Sequence, residues 1–212
     1  QPDILRLLQF PPCETAAEPI ETTEGADALW DFNVPALEQR AAWLSRSRYF
    51  WGPVGTGKTG LAVAYAREWL EQSTLPETDS LAETVRRLIM YGQPFQTILF
   101  RSVPDLLTEL RASYNKDAKP TESELLERYA DAGLLVLDDI GAEQVSGSGW
   151  VEDRLYQIIG KRYNEEKPIV FTSNMSLEAV KAHIGERIAW RIFEMCGESN
   201  ILHVTGPNLR DR

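Results

Sequence analysis

The sequence has 212 residues, 43% of them apolar, and a formal net charge of −10. That suits one domain, or one domain with a tail, around a sizeable core. It argues against a protein that coats DNA by bulk electrostatics. No run of about 18 apolar residues offers a membrane span, and residues 1–12 lack the basic start and apolar stretch of a signal peptide. Cys13, Cys196, His183 and His203 are too few and too scattered for a zinc site. The composition reads as intracellular, hence cytoplasmic, with no disulfide expected. The chain begins with Gln1 rather than Met, so a preceding domain stays open.

Residues 1–30 hold six acids (Asp3, Glu14, Glu18, Glu21, Glu24, Asp27) against one base, Arg6, which is half of the charge excess. Residues 11–28 carry Pro, Glu, Thr and Ala without apolar periodicity, so 1–28 read as a flexible acidic lead-in. A helix is expected over about 35–46, then a short strand, Tyr49-Phe50-Trp51, a glycine-rich turn and a helix over about 58–72. Within 74–96, Leu81, Val85, Leu88 and Ile89 have amphipathic spacing, which predicts a helix over 78–91. Thr97–Phe100 reads as a strand, followed by helices over 104–115 and 121–131. The apolar strand Leu134–Leu137 comes next, then a helix over 151–166 and the strand Pro168–Thr172. Helices over 176–183 and 186–195 and a strand around 200–204 complete the chain. Short apolar strands alternating with helices imply a parallel sheet covered on both faces, so the class is α/β.

Gly52-Pro53-Val54-Gly55-Thr56-Gly57-Lys58-Thr59 matches the P-loop pattern G-x-x-x-x-G-K-[ST] and lies between a strand and a helix. Glycines let the backbone fold into a nest of N–H groups, and the helix N-terminus adds its positive end. Lys58 would reach the β- and γ-phosphates, and the Thr59 hydroxyl suits Mg²⁺. Leu134–Asp139 supplies the second half: an apolar strand, expected beside the P-loop strand, ending in Asp138 for the Mg²⁺ shell and Asp139 as general base. Asn174, after another apolar strand, has the position to orient the attacking water, although a turn-forming Asn has the same sequence signature. Arg187 and Arg191 share one helix face beside the stripe Ile184, Ile188 and Ile192. They are either paired with acids such as Glu186 and Glu194 or act as arginine fingers on a neighbouring subunit.

GPVGTGKT, LLVLDDIGAE, RYNEEKPIVFTSN and GERIAWRIFEMC, in this order, resemble the AAA+ ATPases of the DnaC/DnaI helicase-loader and IstB transposition-helper group. The likeness runs from about Leu29 to Arg212, so 29–212 is expected to form one AAA+ domain. The resemblance implies a P-loop NTPase of the AAA+/ASCE type, a three-layer αβα fold with a five-stranded parallel sheet. It implies ATP and Mg²⁺ as ligands, Lys58 and Thr59 as Walker A, and Asp138 with Asp139 as Walker B. Asn174 would be sensor 1 and Arg191 the finger, with Arg187 beside it. A finger acting in trans implies a homo-oligomer. The resemblance also implies single-stranded DNA binding, for which Arg111, Lys116 and Lys119 would meet phosphates while Tyr114 stacks on a base. A core-packed Tyr114 at a solvated helix end is the alternative.

The implied function is an ATPase assembling on single-stranded DNA to load a replicative helicase. Its alternative is a helper ATPase acting on a transposase and duplex DNA. A small-molecule kinase would need a closing lid with arginines, which the sequence lacks, and intact Lys58, Asp138 and Asp139 argue against a non-hydrolysing binding module. The segment 74–96 is longer than the family's usual link. It either covers the sheet edge or meets a partner through Arg86, Arg87 and Tyr91. About 40 residues follow Asn174, so only a minimal lid is expected. Replacing Lys58 with Ala should abolish nucleotide binding in a fluorescent-nucleotide titration, and retained affinity would remove the P-loop assignment.

Overall fold

A computed structural model describes residues 20–21, 45–73, 98–115, 119–144 and 149–209. Its elements are β1 (Ile20–Glu21), β2 (Arg48–Trp51), α1 (Lys58–Ser73), β3 (Ile98–Ser102), α2 (Val103–Ala112), α3 (Glu122–Asp131) and β4 (Leu134–Asp138). They continue with α4 (Trp150–Asn164), β5 (Ile169–Ser173), α5 (Leu177–His183), α6 (Glu186–Cys196), a 3₁₀ turn (Glu198–Asn200) and β6 (Ile201–Thr205). The predicted helices over 35–46 and 78–91 lie outside the described residues, apart from a turn at Ser45 and Arg46. Lys116 and the segment 74–96 lie outside them too.

The strands form one parallel sheet in the order β1-β6-β2-β5-β4-β3. Five are the expected strands. The sixth, the two-residue β1, pairs with the end of β6 and falls inside the stretch read from sequence as irregular. A second difference concerns neighbours. The strand ending in Asp138 does not lie beside the P-loop strand, because β5 stands between β2 and β4. Apolar composition reports that a strand is buried on both faces, not which strand it pairs with.

Successive side chains alternate between the two faces, as a pleated strand requires. Leu135 and Leu137 of β4, Ile169 and Phe171 of β5 and Tyr49 of β2 join the core on one face. That core is completed by α2, α4 and α6 through Leu106, Leu110, Leu155, Ile158, Ile188 and Ile192. Leu134, Val136, Val170 and Phe50 point the other way, onto α1. There Ala62, Ala64 and Ala66 keep the helix surface small enough for close packing on the sheet. The result is three layers, αβα.

Local signals fix the helix starts. The Ser102 hydroxyl accepts from Asp105 N–H at the head of α2. Thr121 and Glu124 form a reciprocal capping box at the head of α3.

Arg162 of α4 is fully buried, and its guanidinium donates to backbone carbonyls. Its Nη1 donates to the carbonyls of Tyr129, Ala130 and Ala132 at 3.2, 3.1 and 2.6 Å. Its Nη2 donates to those of Gly133 and Pro168 at 3.2 and 2.6 Å. The cation therefore closes the negative end of α3 and holds the residues just ahead of β4 and β5. Burial lowers its pKa to about 10, which leaves it charged at neutral pH. Replacing Arg162 with Ala strips these buried acceptors of a partner, each worth ~1–3 kcal/mol when unsatisfied. The variant should lose roughly 3 kcal/mol or more in a urea titration. Lys should recover only part, because one ammonium cannot span both groups of carbonyls.

Candidate functional site

The P-loop follows β2 directly. Gly52 N–H donates to Ser173 O at 3.2 Å, so the loop starts against the C-terminal end of β5. Gly55 and Gly57 sit at φ +84° and +91°, a region that favours glycine. α1 then begins at Lys58, with Leu61 N–H on Gly57 O at 3.0 Å. The Lys58 side chain is only 6% exposed. Its Nζ donates to Gly52 O at 2.9 Å and Pro53 O at 2.6 Å, which holds the ammonium over the loop. Thr56 Oγ1 donates to Pro53 O at 3.0 Å and stiffens the same turn. Val54 stands out at the tip, exposed.

The acidic side of the site forms where β4 and β5 end. Asp138 is 8% exposed. Its Oδ1 accepts from Thr59 Oγ1 at 3.0 Å and from Thr172 Oγ1 at 2.6 Å. The Thr172 hydroxyl in turn accepts from Asp139 N–H at 2.9 Å. Asp139 has φ +56°, and Ile140 N–H bonds Thr172 O at 2.9 Å. The chain thus bends sharply after Asp138 and clamps onto β5. Asn174 is exposed, one residue beyond the Ser173 whose carbonyl holds the P-loop. Lys58, Thr59, Asp138, Asp139 and Asn174 therefore share the C-terminal edge of the sheet, where open parallel sheets bind ligands.

The donor set fits a nucleoside triphosphate with a divalent cation. A glycine-shaped cradle at a helix N-terminus suits phosphate. A threonine hydroxyl 3.0 Å from a carboxylate offers the hard oxygen ligands that Mg²⁺ takes.

Arg187 and Arg191 are not brought to this edge. They lie on α6, packed on the sheet face opposite α1. Arg187 Nε bonds Glu152 at 3.0 Å and its Nη2 bonds Asp153 at 3.1 Å, both acids of α4. Its guanidinium lies 4.9 Å from the Tyr156 ring centre. Arg191 pairs with Glu194 at 3.0 Å and lies 4.1 Å from the Tyr163 ring centre. Of the two acids anticipated, Glu194 is a partner, whereas Glu186 pairs with Lys181.

Arg111 and Tyr114 meet at the end of α2, with a residue the sequence reading missed. Trp150 Nε1 donates to the Tyr114 hydroxyl at 2.7 Å, and Arg111 lies 4.7 Å from a Trp150 ring centre. The Tyr114 hydroxyl donates to Glu122 at 2.6 Å, and the residue is 52% exposed rather than packed in the core. Thr172 was missed as well. Its only sequence signal is a hydroxyl residue two positions before Asn174.

Residues 92–211 match the family model described as IstB-like ATP binding protein. That span begins after the P-loop, so the two observations are independent. The chain is 30% identical over 143 residues to the uncharacterized protein YdaV of Escherichia coli (strain K12), covering 68% of this chain and 47% of that protein. It is 26% identical over 143 residues to the replicative helicase loader DnaC of Buchnera aphidicola subsp. Acyrthosiphon pisum (strain APS), covering 68% and 48%. It thus spans about half the length of these relatives. Among solved structures, the DnaC helicase loader superposes with a TM-score of 0.55 at 23% identity, covering 80% of this chain and 86% of that one. The fold is therefore that of the P-loop AAA+ domains.

Thr172→Val removes a hydroxyl that serves both Asp138 and the Asp139 N–H. It should cost ~1–3 kcal/mol of stability by urea denaturation. Thr172→Ser, which keeps the hydroxyl, should stay close to the parent protein.

Proposed function

The chain belongs to the IstB-like ATP binding protein family, and on that premise we propose that it is an Mg²⁺-dependent ATPase. It assembles on single-stranded DNA in the cytoplasm and loads a replicative helicase. The observation that carries the ATPase reading is the Asp138 junction. One buried carboxylate accepts the hydroxyls of Thr59 and Thr172 beside the P-loop. Gly52 to Thr59 would cradle the phosphates, with Lys58 as the point charge. Thr59 and Asp138 would hold Mg²⁺, which when bound neutralises phosphate charge. Asp139 accepts the proton of the attacking water, and Asn174 orients that water.

Arg191, with Arg187, acts on the nucleotide of a neighbouring copy. Their place on the face opposite α1 supports action in trans. The exposed pair Trp190 and Phe193, packed edge to face at 5.9 Å on the same helix, offers that copy an apolar surface. Arg111, Tyr114 and Trp150 provide the mixed basic and aromatic surface that suits single strands, with Lys116 as a further phosphate contact. Loading of a helicase is favoured by the DnaC relatives. A transposase-helper role on duplex DNA is the second reading, favoured by the family description. No helix among the described residues is long and apolar enough to cross a membrane.

The test is ATP turnover per subunit across protein concentration, without DNA and with single-stranded or duplex DNA. Turnover should rise with concentration and rise further with single strands. Arg191→Ala should bind ATP normally and lose this stimulated turnover, by roughly 10³-fold or more for a finger. A rate indifferent to concentration and DNA would sink the loader reading, and stimulation by duplex alone would favour the transposase helper.

A further inference from the structure

The glycines of the P-loop face the C-terminal end of the described chain. A Cβ on Gly52 would overlap Val204 O at the end of β6, and one on Gly55 would overlap Asn208 Oδ1. A Cβ on Gly57 would come within 3.2 Å of Leu209 Cδ1. Leu209 N–H donates to Gly55 O at 2.9 Å. Gly206–Leu209 therefore runs as a strap along the loop and is tied to it by a backbone hydrogen bond. Gly55 occupies one of the free positions of the G-x-x-x-x-G-K-[ST] pattern, so phosphate recognition alone does not require glycine there. The strap does, together with φ +84°.

The direction of the bond matters. In a trans peptide the carbonyl and the following N–H point to opposite sides. Holding Gly55 O against Leu209 N–H therefore turns Thr56 N–H away from the strap.

We propose that Asn208 and Leu209 are positioning residues for the nucleotide. The strap braces the outer side of the P-loop and presents the Thr56 N–H to the phosphates. This rests on the P-loop reading above and adds a partner to it within the same chain. Reciprocity follows, since a nucleotide that favours the braced loop must also favour the closed strap. Occupancy of the site is thereby communicated to Gly206–Leu209.

The experiment measures binding of a fluorescent ADP analogue, thermal unfolding without nucleotide, and protease cleavage within 206–209 with and without ADP. Leu209→Pro removes the N–H donor and should weaken binding roughly three- to tenfold, the scale of one hydrogen bond. Its unfolding temperature should stay unchanged. Leu209→Met keeps donor and apolar contact and should bind like the parent protein, and ADP should slow cleavage of the strap. Parent-like affinity in Leu209→Pro, or cleavage indifferent to ADP, would overturn the proposal. If Leu209→Pro does not fold, Gly55→Ala decides. Its affinity loss should shrink when Asn208→Gly is added, and strict additivity would overturn the strap. Retained binding in Lys58→Ala would instead overturn the P-loop reading itself, however the strap variants behave.

Discussion

A buried carboxylate must be hydrogen-bonded if the fold is to tolerate it, and that constraint on Asp138 organises the site. Its two hydroxyl donors come from different elements, Thr59 from α1 and Thr172 from β5. Satisfying one side chain thus fixes the first turn of the P-loop helix against the ends of two strands. Because β5 lies between β2 and β4, Asp138 cannot pair directly with the strand that feeds the P-loop. Thr172 bridges the gap on one side, while the Ser173 carbonyl holds Gly52 on the other. The intervening strand is therefore the part that couples the phosphate loop to the acids.

The same pair of strands is pinned at its opposite end by Arg162. Its guanidinium gathers the carbonyls of Gly133, just before β4, and Pro168, just before β5, together with the last carbonyls of α3. A carboxylate partner would have answered the charge with one residue. Backbone carbonyls answer it with several, and they tie the end of a helix to the starts of two strands. With Arg162 at one end and Asp138 with Thr172 at the other, β4 and β5 have little freedom to slide. A one-residue slip would turn Leu135, Leu137, Ile169 and Phe171 away from their core. The positions of Asp138, Asp139 and Asn174 thus depend on a cation at the far edge of the sheet.

Much of this was legible in the sequence where the signal was local. The five main strands, the helices around them and the strand–turn–helix setting of Gly52 to Thr59 follow from periodicity and turn chemistry. What was not legible is what depends on contacts distant along the chain. The neighbour of β4 was misread because Leu134–Leu137 encodes burial without naming a partner. Trp150 lies 36 positions from Tyr114, whose hydroxyl it meets, and nothing in either segment announces the other. Arg162 looks like any helical arginine until its acceptors, 30 or more positions away for α3 and its exit, are in place. The contact of Leu209 with Gly55 is of the same kind, since tail and loop are brought together only when β6 pairs with β2.

The arginines of α6 turn on energetics rather than on position alone. Arg187 is tied to Glu152 and Asp153, and Arg191 to Glu194 with Tyr163 beneath it. Taken alone, these pairs point to a structural role and no functional one. Their magnitude argues otherwise. Ion pairs between solvent-exposed side chains contribute only about 0–1 kcal/mol each, and Arg187 is 54% exposed. In the finger role proposed above, triphosphate charge on a neighbouring copy would offer a stronger partner at little cost in lost contacts. Glu152 and Asp153 of α4 hold the Arg187 guanidinium along the surface, and Glu194 of α6 itself holds that of Arg191. Side chains already held in this way would lose less entropy on the proposed assembly.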